Sequence, residues 1–102
     1  MRVTRHAEKR TKLRLGIPKK SVMKNAEKAL RYGLKHKETT GNLNRYITSL
    51  YLRYGTANNI RIYCDNVYIF QGTTLITLFP LPQKYKSTAA RLKERRGKAD
   101  DS

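Results

Sequence analysis

The stretch Asn59-Ile-Arg-Ile-Tyr-Cys-Asp-Asn-Val-Tyr-Ile-Phe-Gln-Gly-Thr-Thr-Leu-Ile-Thr-Leu-Phe79 does most to limit what this chain can fold into. Ile60, Ile62 and Cys64 alternate with Arg61 and Tyr63, the period of a strand with one face inward. Asp65-Asn66 supplies turn residues that tolerate positive φ, and Val67 to Phe70 is a second run rich in β-branched and aromatic side chains. Gln71-Gly72-Thr73 is a second turn, and Thr74 to Phe79 a third run, stopped by Pro80 and Pro82. Residues 57–83 contain a single base, Arg61, and a single acid, Asp65; the other Lys and Arg lie outside. The pattern predicts a β-meander at the core of the molecule with a cationic coat around it. Leu50 and Ile76 are expected to point into one shared core, and Cys64 is expected to be a buried small hydrophobe.

The coat is strong. Against 23 Lys and Arg the chain has 7 Asp and Glu, a formal net charge of +16 over 102 residues. Such an excess repels itself in a compact state and suits a protein that meets a polyanion. An anionic membrane is the weaker partner, because no amphipathic helix carries Trp or Phe anchors. One cysteine and two distant histidines provide neither a disulfide framework nor a metal cluster, and the scattered glycines form no phosphate loop. No metal and no cofactor is expected. Nothing reads as a signal peptide or membrane span, so the expected compartment is the cytoplasm.

Three helices are predicted before the meander. Residues 7–15 form a short one, with Thr4 as N-cap and Gly16 at its end, lining up His6, Arg10 and Arg14 at four-residue spacing. That stripe is either a solvated flank or part of a site. Val22, Ala26, Ala29 and Leu30 give a second helix an apolar face that ends near Gly33. His36 falls in a polar loop. Leu43, Ile47, Leu50, Tyr51 and Tyr54 define a third helix over 42–54, with Asn42 as N-cap and Tyr46 near its edge. The class is therefore α+β: N-terminal helices packed on a small antiparallel meander. Residues 1–83 make a single α+β domain. Residues 84–102, basic and poor in apolar side chains, are read as a flexible tail, mobile or transiently helical, that follows the polyanion.

Few carboxylates and no metal cluster exclude two-metal and paired-carboxylate chemistry. Metal-free RNA cleavage remains open, since His, Arg, Lys and Tyr can supply a base, an acid and cations around a phosphorane. By residue type the candidates are His6, Arg10, Arg14, Arg61, Tyr63 and Thr77. Arg61, the lone cation of the meander, is expected on the sheet face away from the core, where it is either an ordinary solvent-facing side chain or a phosphate ligand.

Thr4-Arg5-His6-Ala7-Glu8-Lys9-Arg10, followed by Arg14-Leu15-Gly16-Ile17, resembles the opening of small toxin-like proteins, and 67–70 with 74–80 resembles their closing strands. These are the barnase, colicin and RelE-like toxin nucleases, including their phage and mobile-element branch. The resemblance covers about a quarter of the chain. It implies helices on a small antiparallel sheet and metal-independent endoribonuclease activity, with a protein antitoxin or effector complex as partner. It maps the family's N-terminal histidine to His6, its helix arginine to Arg10, its strand base to Arg61 and its last-strand hydroxyl to Thr77.

The leading expectation is thus an RNA-binding protein of toxin-nuclease type. Its rivals are a non-catalytic binder of ribosomal or guide RNA, such as a mobile-element inhibitor of CRISPR effectors, and a DNA-binding accessory protein. Arg5, Arg14, Lys19, Lys20, Arg45, Lys84, Lys86, Arg91, Arg95 and Arg96 are the expected nucleic-acid contacts, with RNA or a ribonucleoprotein as partner.

Overall fold

The computed structural model describes the backbone of residues 2–7, 9 and 19–101, and the side chains of 2–7, 9 and 20–95. The chain is α+β. It runs β1 (Arg2–Val3), α1 (Lys19–Tyr32), β2 (Leu34–Lys35), a 3-10 turn (His36–Glu38), α2 (Gly41–Arg53), β3 (Asn59–Tyr63), β4 (Asn66–Gln71), β5 (Thr74–Pro80) and α3 (Gln83–Asp101). Helical backbone also appears at 5–7, where Thr4 Oγ1 accepts a hydrogen bond from the Ala7 N–H at 3.2 Å, the cap expected of it. The remainder of the expected 7–15 helix lies outside the described residues.

The three-strand meander lies at the centre of a five-stranded mixed sheet of order β1-β5-β4-β3-β2. β3, β4 and β5 pair antiparallel in sequence, β2 adds antiparallel to β3, and β1 adds parallel to β5. The first hairpin turns one residue earlier than expected. Cys64 and Asp65 carry φ of 49° and 62°, so they are the two central residues of the tight hairpin turn. Cys64 is therefore exposed at a turn, not buried in a strand. Its place there follows from pairing Tyr63 with Asn66, whose side-chain amide donates to the Cys64 carbonyl at 3.0 Å. The second turn uses Gly72 at φ 62°, a conformation that costs glycine little.

Both faces of the sheet are covered. On one, Ile60, Ile62, Val67 and Ile69 pack with Leu43, Ile47 and Leu50 of α2 and with Ala89 and Leu92 of α3. On the other, Tyr68, Phe70, Leu75 and Leu78 pack with Val22, Ala26 and Ala29 of α1 and with Ala7. Val67 to Phe70 are buried without interruption, as a strand sandwiched between two helical layers must be. The Tyr51 hydroxyl accepts from the Ile60 N–H at 2.9 Å and fastens α2 to β3. α1 approaches β3 closely at Gly33. A Cβ there would lie 2.5 Å from the Ala29 carbonyl oxygen and 3.0 Å from Arg61 Cβ, so only glycine fits.

Two further expectations change. Residues from Lys84 onward, expected to be a mobile or transiently helical tail, form the helix α3 and dock it, burying Ala89 and Leu92 and half-burying Tyr85. These three recur at i, i+4 and i+7, a narrow stripe made from one small, one aliphatic and one aromatic side chain. Ile76, expected in the core, is the extra residue of a bulge: Ile69 pairs with Thr77 and Phe70 with Leu75, leaving Ile76 half-buried and outside both clusters. Leu50 is in the core as expected.

Candidate nucleic-acid interface

The bulge settles the position of Thr77. As the partner of Ile69 it faces the α2–α3 side of the sheet, 1% exposed, and its Oγ1 has no hydrogen-bond partner among the described residues. An interior hydroxyl does not reach a phosphate on the surface. Arg61 is also displaced from the expected role. It pairs with Tyr68, so it lies on the α1 side, half-buried beneath the end of that helix. Its guanidinium folds along its own strand, with Nη1 at 3.3 Å from the Ile60 carbonyl and Nη2 at 3.4 Å from Asn59 Oδ1, while Nε is buried with no partner among the described residues. The face is covered because the sheet has helices on both sides. His6 is exposed in the helical segment after Thr4, and Arg10 lies outside the described residues. The described members, His6, Arg61 and Thr77, are thus respectively exposed, half-buried and interior, with Thr77 on the opposite side of the sheet from Arg61.

The expected nucleic-acid contacts fare differently. Arg5, Lys20, Arg45, Lys84, Arg91 and Arg95 are exposed and Lys86 is half-buried. Arg14 lies outside the described residues, as do the side chains of Lys19 and Arg96. On α1, Lys20, Lys24, Lys28 and Arg31 are all exposed and fall at i, i+4, i+8 and i+11, a single stripe opposite buried Val22, Ala26 and Ala29. On α3, Lys84, Arg91 and Arg95 are exposed at i, i+7 and i+11, while Tyr85, Ala89 and Leu92 turn to the sheet. Each helical layer therefore presents a cationic ridge to solvent, and the ridges sit on opposite sides of the sheet.

Between α2 and α3 lies an open cleft of about 430 Å3, lined by Asn42, Arg45, Tyr46, Ser49, Lys84 and Tyr85. Its floor is aromatic. Tyr46 and Tyr85 stack with ring centroids 4.6 Å apart and planes 24° from parallel, and Lys84 Nζ stands 5.1 Å from the Tyr85 centroid. Arg45 donates from Nη2 to Asn42 Oδ1 at 2.8 Å. Burial, and then the neighbouring Tyr85 and Tyr54 hydroxyls, push the Tyr46 phenol above its usual pKa, so it stays neutral at physiological pH. Arg45-Tyr46 and Lys84-Tyr85 are both a base followed by a tyrosine, but so are Arg31-Tyr32 and Arg53-Tyr54, so the residues alone do not single out this cleft.

Outside the cleft, His36 is tied down more firmly than a loop residue, with Nε2 at 2.8 Å from Thr48 Oγ1 and its ring 5.4 Å from that of Tyr51. Among the described residues no three His, Cys, Asp or Glu side chains gather as metal ligands would, and no helix is long and apolar enough to cross a membrane. No protein family, no curated protein and no solved structure matches this chain.

Proposed function

We propose that this protein binds RNA through its cationic helix faces, and that it acts in the cytoplasm. The observation that carries the reading is the pair of exposed ridges, Lys20–Lys24–Lys28–Arg31 on α1 and Lys84–Arg91–Arg95 on α3, in a chain of net charge +16. Regularly spaced cations on a rigid helix track a phosphate backbone, and each contact releases a counterion. Ridges on both sides of the sheet suit a folded RNA or a ribonucleoprotein, which can present phosphates to more than one face.

Support for a metal-independent cleavage site of the toxin-nuclease kind is weaker. Thr77 is interior, Arg61 is engaged along its own strand, and the two lie on opposite sides of the sheet. The ridges require only binding.

The test is a salt titration of binding to labelled RNA. If about six phosphates are contacted, affinity falls roughly a thousandfold between about 50 and 200 mM salt. Charge-reversing Lys24 and Lys28 together flattens that slope. A salt-independent affinity, or none at low salt, overturns the proposal.

A further inference from the structure

Resting on the RNA-binding reading above, we infer that the cleft between α2 and α3 is a subsite for one unpaired nucleotide of a single-stranded RNA segment. Tyr46 and Tyr85 form the platform for the base, and Arg45 and Lys84 receive its flanking phosphates.

The chemistry separates this cleft from two other concavities of the described surface. The cavity beside Tyr32 and Cys64 contains Asp65 among mainly apolar neighbours, and the groove on α1 contains Glu27 among its cations. The α2–α3 cleft has two cations, two tyrosines, an amide and a hydroxyl, with no acid in its lining. A volume of about 430 Å3 lies in the range, roughly 300–1,000 Å3, that encloses small organic ligands.

The platform is preorganised. Tyr46 and Tyr85 come from different helices and are already stacked, so a base meets a fixed aromatic surface and orders little on arrival. The neutral Tyr46 phenol adds no negative charge to repel a phosphate. Arg45 spends one N–H on Asn42, a neutral acceptor, which fixes the guanidinium while leaving donors for an anion. Asn42 and Ser49 at the walls can meet the polar edge of a base. A duplex keeps its bases stacked inward and cannot use such a platform, so the subsite selects unpaired RNA.

The experiment compares three probes on the full chain: a short single-stranded RNA, an RNA duplex, and inorganic polyphosphate, which has the charge without bases. Tyr46→Leu lowers affinity for the single strand by about tenfold, since base stacking contributes roughly that much per base, and leaves polyphosphate binding unchanged. Tyr46→Phe keeps the wild-type affinity. Arg45→Ala weakens single-strand and polyphosphate binding alike. Ser49→Leu, at an exposed helix position, crowds the cleft without touching the core and also weakens the single strand selectively, which keeps the test decisive if Tyr46→Leu does not fold. Equal loss on single strand and polyphosphate from Tyr46→Leu or Ser49→Leu, or no loss from either, overturns the subsite while RNA binding stands. Failure of the wild-type protein to bind any RNA overturns the RNA-binding reading itself.

Discussion

Lys35 of β2 and Arg61 of β3 stand directly opposite each other in the antiparallel ladder. Two like charges in facing positions on one face of a sheet destabilise the pair. The arrangement persists because the backbone there is held from several sides: the Lys35 N–H donates to Glu38 Oε1 at 2.9 Å, and Gly33 abuts both Arg61 Cβ and the Ile62 carbonyl. Lys35→Thr therefore raises stability by about 0.5 kcal/mol, read as a higher urea midpoint with unchanged slope. A lower midpoint would show that the Lys35 stem contributes more by packing than its charge costs.

Thr77 has the opposite problem, an unpartnered hydroxyl in an apolar interior. Thr77→Val removes the polar atom and keeps the branched shape. Stability rises by about 1 kcal/mol, because a buried hydroxyl without a hydrogen bond carries an uncompensated desolvation cost. Denaturant unfolding of the variant checks this, and a loss of stability would mean that the hydroxyl is satisfied in solution.

The helix α3 belongs to the core, so damage to it is felt throughout. Leu92→Ala costs about 2 kcal/mol, the low end for a leucine at the margin of a core, and truncation before Gln83 costs more because Tyr85 and Ala89 leave with it. Thermal melts of both proteins measure the effect. A truncated chain that melts like the parent would return residues 84–102 to the status of a tail.

Tyr68 ties stability to alkaline pH. Burial, followed by the nearby Cys64 and Tyr63, pushes its phenol up to about 12, against about 10 in an unfolded chain. The folded form holds its proton where the unfolded form has lost it. The contribution is complete below about pH 10 and is lost as pH rises through about 12. Tyr68→Phe removes this part of the alkaline destabilisation, seen in unfolding free energies measured across that window. A parent and variant with parallel profiles would place the titration elsewhere.

Much of this fold is legible in the sequence, and what is not has separate physical causes. The three meander strands lie within a residue of where periodicity places them, and the α1 stripe of Val22, Ala26 and Ala29 and the α2 stripe of Leu43, Ile47 and Leu50 lie where it places them, whereas the short β1 and β2 carry no such signal. The single-faced view of the sheet failed at Val67 to Phe70, whose unbroken apolar run marks a strand covered on both sides. On a sheet covered on both faces, Arg61, paired with Tyr68, falls under α1. The bulge at Ile76 has no signature in the residues themselves, because Leu75-Ile76-Thr77 suits a regular strand equally well. α3 was missed because alanine counts little toward hydrophobicity, yet Ala89 between Tyr85 and Leu92 lets the helix lie close to the sheet. The cleft depends on two residues 39 positions apart in sequence, Tyr46 and Tyr85, which only packing could bring together.

The pairing of β1 with β5 has a consequence for the order of assembly. Arg2 and Val3 register with Thr74 and Leu75, and Thr4 Oγ1 donates to the Ile76 carbonyl at 2.9 Å across a separation of 72 residues. Such a contact closes a long loop before it returns any energy, whereas the β3–β4–β5 hairpins close short ones. Arg2 and Val3 have no strand partner until β5 itself has formed. The meander forms its own ladder first, and β1 joins as the final seam, capping an edge of β5 that would otherwise stay open to another chain.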